Sequence, residues 1–373
     1  MYRLSQTDSE VIVHIITYFL KQGLCPYNAI KETLPKLDGA FALAILFRDF
    51  NMLIGARRGS PLALGINKNE IYLGSDSIAI SPYTQKICYL EEGDWVVIDK
   101  KKFQIYDDNN KKIKRKVSLT SYKGKDSGKG NFKHFMQKEI YEQPTALKNT
   151  LRGRFGDDGT TAKLGGLEGH EDELRNLVRT IFVACGTARH ACMVGEYLIE
   201  RLARVPVEVE HASEFRYRNS PKAGNSLVIA VSQSGETLDT LEAVREAKTK
   251  GLLTLGITNV VGSSLARETD GGVYQRVGPE IGVASTKAFS SQACLCAMLG
   301  LALGRMRDLS PTDGQSIVEG LNSLPELVEE VLQKGDQIKE LAFKYSKAEH
   351  LLFLGRQSLY PVALEGALKL KEI

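Results

Sequence analysis

The sequence predicts an α/β protein whose main body is a parallel β-sheet with helices on both faces, preceded by a smaller β-rich segment. Three observations carry this. From about residue 135 onward, apolar runs such as TIFVACG (180–186), SLVIAVS (226–232) and LLTLGIT (252–258) alternate with helical stretches, the pattern of crossover connections in a parallel sheet. Before residue 108 the runs are short, β-prone and separated by turn residues. Between the two lies a polar, lysine-rich, glycine-dotted stretch, 107–133, where the composition shifts on both sides.

Taken in order, Thr7-Asp8-Ser9-Glu10 is a capping-box pattern that starts a helix almost at once. FALAILF (41–47), NMLIGA (51–56), EIYLGS (70–75), DWVVID (94–99) and FQIYD (103–107) read as strands that need a partner layer, which the opening helix supplies only in part. The basic stretch after them reads as a solvated linker rather than a nucleic-acid patch, because aromatic residues are sparse in it. TIFVACG leads into a helix to Ala203, VPVEVEH (205–211) is a strand, and SLVIAVS precedes a helix to Lys250 that Gly251 ends. STKAFSSQACLCAMLGLALGRM (285–306) is a long apolar helix. FVACGTARHACMVGEYL and LFLGRQSLYPVALEGAL both run strand, glycine, polar loop, helix, with Gly186 paired to Glu196 and Gly355 to Glu365 at the same spacing. A second copy of the α/β unit is therefore expected to begin near residue 350. The expected organisation is a domain over 1–108, a linker over 109–134, a first α/β unit over 135–345 and the start of a second over 346–373. Both ends read as cut, so the chain is expected to be a fragment.

At 373 residues the chain exceeds one ordinary domain. Its 43% apolar and 25% charged residues are those of a globular protein, and a formal charge of +4 argues against nucleic acid or a membrane surface as main partner. No apolar stretch is read as reaching the ~18 residues needed to span a bilayer. The opening MYRLSQTDSEV lacks the regions of a signal peptide. Six scattered cysteines without C-x-x-C spacing fit a reducing compartment better than a disulfide framework or a zinc site. The expected location is cytoplasmic.

In an open parallel sheet, ligands sit off the carboxyl ends of the strands. Three segments converge there: Cys185-Gly186-Thr187, the knot Ser232-Gln233-Ser234-Gly235-Glu236-Thr237, and Val283-Ala284-Ser285-Thr286. Each joins small residues and hydroxyls at a helix start, where unpaired N–H groups favour an anion by ~0.3–1 kcal/mol at an exposed site. Together they read as a phosphate cradle without obligatory lysine or metal; taken singly, Ser232 or Thr237 could instead cap its own helix. Nucleotide-phosphate loops of the G-x-x-x-x-G-K-[ST] and G-x-G-x-x-G kinds are absent. Lys287 raises an S-x-x-K motif and a pyridoxal-phosphate lysine as rivals, but Ala284 stands where the serine belongs and nothing else supports that cofactor. On the last helix Glu365, Lys369 and Glu372 share one face, as a salt-bridge ladder or, since the surrounding residues are apolar, as a buried proton-moving group.

The motifs HFMQKEIYEQP, ACGTA, SQSGET, GITNVVGSSLARETD, EIGVASTKAF and LEGALKLKEI, in this order, resemble the glutamine–fructose-6-phosphate aminotransferase (isomerizing) family. The likeness covers the whole chain, and GITNVVGSSLARETD reads as the wording of a eukaryotic form. It implies a partial α+β N-terminal-nucleophile glutaminase domain followed by a SIS-type (sugar isomerase) sheet. Such enzymes hydrolyse glutamine, channel the ammonia, and convert fructose 6-phosphate to glucosamine 6-phosphate, without pyridoxal phosphate or metal, as a homodimer or homotetramer. Carried over by position, Ser232, Gln233, Ser234 and Thr237 match phosphate-binding residues, and Thr187, Val283 and Ser285 match further sugar contacts. Glu372 matches the glutamate that moves the proton between C1 and C2, Lys369 a neighbour assisting ring opening, with Glu365 beside them, and Asp8 the aspartate holding the amino group of glutamine. Ala188 departs from the usual C-G-T-S and removes one hydroxyl. The catalytic cysteine, a ring-opening histidine and a Schiff-base lysine of the family are expected to lie outside this chain, which by itself is expected to be inactive. The alternatives are a non-catalytic SIS module that binds sugar phosphate and regulates a partner, and a plain sugar-phosphate isomerase.

Overall fold

The computed structural model describes residues 7–100, 102–120, 128–221 and 224–373. The opening residues 1–6 and the middle of the lysine-rich stretch, 121–127, lie outside them. The chain forms two compact units, Met1–Lys125 and Asp126–Ile373.

The first unit begins with helices α1 (Ser9–Lys21) and α2 (Pro26–Thr33), the second opened by Pro26, whose missing N–H costs nothing at a first turn. At α1 the Asp8 side chain makes no cap bond, and Glu10 bonds His14 at 3.1 Å. Strands β1 (Phe41–Phe47), β2 (Met52–Arg58), β3 (Ala63–Ile66) and β4 (Ile71–Gly74) follow, then the short helix α3 (Ser77–Ile80). After it come β5 (Lys86–Tyr89), β6 (Trp95–Asp99), β7 (Lys102–Tyr106), β8 (Lys112–Ile113) and β9 (Val117–Leu119). They pair as two antiparallel sheets ordered β1-β2-β6-β7-β8 and β4-β3-β5-β9. Side-chain alternation explains the layering. Trp95 and Val97 of β6 pack with Ile16 and Ile30 of the helices, while Val96 and Ile98 face Leu64 and Cys88 of the other sheet. Ile80 of α3 covers that sheet's far side against Ala63 and Ile87. The partner layer is thus a second sheet as well as helices. The expected linker over 109–134 is corrected at its start: residues 112–113 and 117–119 are strands, because Ile113 pairs with Ile105 and Val117 with Cys88.

The second unit opens with α4 (Phe135–Tyr141), α5 (Gln143–Leu151) and α6 (Glu171–Arg175). The doubly covered sheet then follows as β10 (Arg179–Ala184), α7 (Gly186–Ala203), β11 (Val207–His211), α8 (Ala212–Arg218), β12 (Ser226–Ser232), α9 (Leu238–Thr249), β13 (Leu253–Thr258), α10 (Ser264–Glu268) and β14 (Gly271–Tyr274). The strand order is β11-β10-β12-β13-β14, and every neighbouring pair is parallel. Phe182, Ile229 and Val231 pack on one face, and Ile181, Val183, Val228 and Ala230 pack with α8 and α9 on the other, so both faces are buried and the strands read as continuous apolar runs.

Helix α11 (Lys287–Arg305) is long and apolar enough to cross a membrane, which corrects the reading that no stretch is; it is buried in the core instead. Gly195 of α7 explains how closely it lies, since a Cβ there would come within 2.8 Å of Cys296 Cβ. After α12 (Pro311–Leu332), α13 (Gly335–Tyr345) buries no residue. The strand expected at LFLG (352–355) does not form; residues 351–356 have no ladder partner, and Leu352 and Leu354 stay about nine-tenths exposed. A strand needs a neighbour for its N–H and C=O groups, and none is present among the described residues. The helix expected after it does form, as α14 (Leu359–Glu372), but it buries only Pro361 and Glu365, so it is a half-covered element rather than a buried one.

Candidate functional site

The order β11-β10-β12 places a topological switch point between β10 and β12, because the chain leaves β10 toward one side of the sheet and β12 toward the other. The turns after those two strands open into a cavity of about 260 Å³. Thr187, Ser232, Gln233, Ser234, Thr237, Val283 and Ser285 all line it, together with Cys185, Ala188, Thr240, Glu280 and Gln292. Three segments far apart in sequence therefore converge on one space.

The knot after β12 is held by its own hydroxyls. Ser232 Oγ lies 2.9 Å from Thr237 Oγ1 and accepts from Gly235 N at 3.0 Å, while Ser234 Oγ accepts from Glu236 N at 3.1 Å. Thr237 precedes α9 without capping it through its side chain, so the capping reading does not account for this hydroxyl. Gly235 sits at φ +69°, and a Cβ there would lie 2.2 Å from Ser263 Oγ and 2.5 Å from Thr258 Oγ1. The loop before α11 behaves otherwise. Glu280 accepts from Ser285 Oγ at 2.8 Å, Thr286 N at 2.9 Å and Ala288 N at 3.2 Å. Those N–H groups are already taken by a carboxylate, so the expectation that this helix start offers them to an anion is corrected. The Val283 side chain is 97% exposed, at the rim.

The motif HFMQKEIYEQP supports this loop from α4. Glu139, 2% exposed, accepts from Ile281 N at 2.6 Å and Gly282 N at 3.0 Å. Burial raises its pKa above the ordinary carboxylate value, and the two N–H bonds offset only part of the rise. Lys287, 2% exposed, pairs with Glu142 at 2.7 Å. Sequence reasoning places Glu139, Glu142 and Glu280 inside motifs but cannot give them these loop-holding bonds, because their partners lie elsewhere in the chain or depend on how the loop folds.

Helix α14 packs on α7 and brings its charged face beside the cavity. Thr187 Oγ1 donates to Glu365 Oε1 at 2.9 Å, and Lys369 Nζ lies 3.1 Å from Thr187 Oγ1, 3.3 Å from Glu365 and 2.8 Å from Glu372. His190 Nδ1 meets the other oxygen of Glu365 at 2.8 Å; nothing in the sequence pattern singles this histidine out. Glu365 is buried and Glu372 exposed, so the three residues are neither a plain surface ladder nor a wholly buried group. None of the three lines the cavity directly; Thr187 joins them to it. Asp8 lies in the first unit, exposed, with Ser9 Oγ 3.4 Å from its carboxylate.

All six cysteines are free thiols. Burial pushes Cys294 and Cys296 up to about 12 and Cys88 to about 11, and raises Cys185 in the cavity wall. Titrating the native protein with a thiol reagent at neutral pH should therefore show Cys25, the exposed one, reacting fast and Cys185 slowly. The other four should react only after unfolding; a second fast thiol would contradict this packing.

Comparison with known proteins agrees with the geometry. The SIS domain family model matches residues 173–302. The glutamine–fructose-6-phosphate aminotransferases (isomerizing) of Brucella abortus and Escherichia coli are 45% and 44% identical, each alignment covering 99% of this chain and 61% of the relative. A solved C-terminal domain of glucosamine-fructose-6-phosphate aminotransferase from Francisella tularensis is 40% identical, covering 66% of this chain and 69% of that one, with a TM-score of 0.63. The chain belongs to the glutamine–fructose-6-phosphate aminotransferase family. It spans about 61% of the length of the curated relatives it matches. The relatives named are bacterial, which gives the expected eukaryotic form no support. Within this family the cavity at the switch point falls inside the SIS match at Thr187, Ser232 and Thr237.

Proposed function

We propose that this chain is part of an enzyme that takes fructose 6-phosphate and glutamine to glucosamine 6-phosphate and glutamate, and that its cavity holds the phosphorylated hexose. The observation that carries this reading is the convergence of Thr187, the 232–237 knot and Ser285 on one cavity beside a lysine–carboxylate cluster. Hydroxyls that now bond one another can rotate to donate to a phosphate, and the strand-end position suits an anion. Ser232, Gln233, Ser234 and Thr237 take the phosphate, and Thr187, Val283 and Ser285 contact the sugar. Glu372 moves the proton between C1 and C2, and Lys369 assists ring opening. The contacts among Thr187, Glu365 and Lys369 support this, since they couple the cavity wall to the helix that carries Glu372.

The first unit takes the glutaminase role, with Asp8 holding the amino group of glutamine. Its layering of helices, two sheets and a helix favours this over the regulatory-module alternative, which would carry a helix-turn-helix there. The domain reading becomes a glutaminase segment that extends past 108 to take in β8 and β9, and SIS subdomains over 135–345 and from 346 onward. A homodimer or homotetramer in the cytoplasm completes the proposal, the free thiols fitting a reducing compartment.

The test is a melting curve with fructose 6-phosphate or glucosamine 6-phosphate added: ligand at 100 times its dissociation constant should add about 2.7 kcal/mol of stability. No shift at saturating sugar phosphate would overturn the site. For Glu372→Gln in the enzyme of natural length, sugar binding should persist while isomerisation, followed by product formation, is lost. Unchanged turnover removes the proposed role.

A further inference from the structure

The cavity has a polarity that the phosphate cradle does not use. Gln292 stands on α11, 1% exposed, in the cavity wall, and its side-chain oxygen has no hydrogen-bond partner among the described residues. Gln233, on the knot after β12, presents the opposite case, a side-chain nitrogen with no partner. One wall thus holds a buried acceptor and another a buried donor, each without a partner among the described residues. A buried polar atom left without a partner is costly, so each marks a place where something entering the cavity completes the structure.

The two atoms ask for different chemistry. A phosphate group at neutral pH is almost all acceptor; it suits the Gln233 donor and the neighbouring hydroxyls, and it repels the Gln292 oxygen. A sugar hydroxyl carries a proton to donate, which is what the Gln292 oxygen lacks. We infer that Gln292 is a specificity-determining residue: its side-chain oxygen accepts a hydrogen bond from a hydroxyl of the bound hexose phosphate. The inference rests on reading the cavity as a sugar-phosphate site. Its consequence is that the residue discriminates a hexose phosphate from phosphate alone, as a site built around a buried polar group rejects a ligand that cannot pair with it.

The experiment is calorimetric titration of the chain with fructose 6-phosphate and, separately, with inorganic phosphate. Gln292→Met replaces the side chain at nearly constant volume, and Gln292→Leu is run beside it so that, if one variant fails to fold, the other still decides the question. Each variant is first melted without ligand to show that it folds. The expected result is fructose 6-phosphate affinity weakened about tenfold, the effect of one lost hydrogen bond, with inorganic phosphate binding changed less than about twofold. Unchanged affinity for fructose 6-phosphate overturns the role of Gln292, and so does an equal loss for both ligands, which would make the residue a packing element only. If the unsubstituted chain binds neither ligand, the sugar-phosphate reading itself has failed.

Discussion

Ser232→Ala combined with Thr237→Ala is expected to weaken fructose 6-phosphate binding by at least a hundredfold, so that the ligand no longer raises the melting temperature. Both hydroxyls line the cavity, and each would donate to an anionic phosphate. A hydrogen bond to a charged group contributes about 1.5–3 kcal/mol, so losing two costs about 3 kcal/mol or more. The substitution also has a structural cost, because Ser232 Oγ accepts from Gly235 N at 3.0 Å and that N–H would lose its partner. This lowers the ligand-free melting temperature by the cost of leaving that buried donor unpaired, about 1–3 kcal/mol. The two effects separate in one set of melts with and without sugar phosphate. A double variant that the ligand protects as well as the parent removes the cradle.

Gly235→Ala should be the most damaging single change in the knot. An alanine at φ +69° pays about 1–2 kcal/mol for the left-handed conformation. Its methyl group must also displace Ser263 and Thr258, whose hydroxyl oxygens lie 2.2 and 2.5 Å from where it would stand. Both side chains are buried, so neither can swing clear without moving its neighbours, and overpacking of this kind adds about 1–3 kcal/mol. The sum, about 2–5 kcal/mol, corresponds to a drop of roughly 5–15 °C for a unit of this size. Leu265 N bonds Gly235 O at 2.9 Å, so the same shift disturbs the start of α10. Thermal denaturation checks this; a variant melting within a degree or two of the parent would show that the turn relaxes freely.

The parallel sheet is legible in the sequence because burial on both faces leaves long apolar runs, as in SLVIAVS, where every residue is buried. β3, β5, α2 and α8 are not; they are short, and packing rather than local pattern decides them. The false strand at LFLG has the right local pattern, and only the lack of a neighbouring strand overrules it. The hydroxyl-rich knot is visible as a seam between strand and helix. The bond from Thr187, in the cavity wall, to Glu365, 178 residues further along the chain, exists only in three dimensions.

By itself, then, the sequence determined the α/β class, the parallel strands β10 to β13 with helices α7, α9 and α11, and the residue types gathered at the strand ends. Those follow from local rules of periodicity and turn chemistry, which act over a few neighbouring positions. Tertiary structure decided that Glu280 closes the start of α11, that Lys287 is a buried ion-pair partner, that β8 and β9 join the first unit's sheets, and that Gln292 stands in the cavity wall with a buried oxygen lacking a partner among the described residues. Each of these depends on groups distant in the chain coming within hydrogen-bond reach, or on the path of a folded loop, and no local pattern encodes such a meeting.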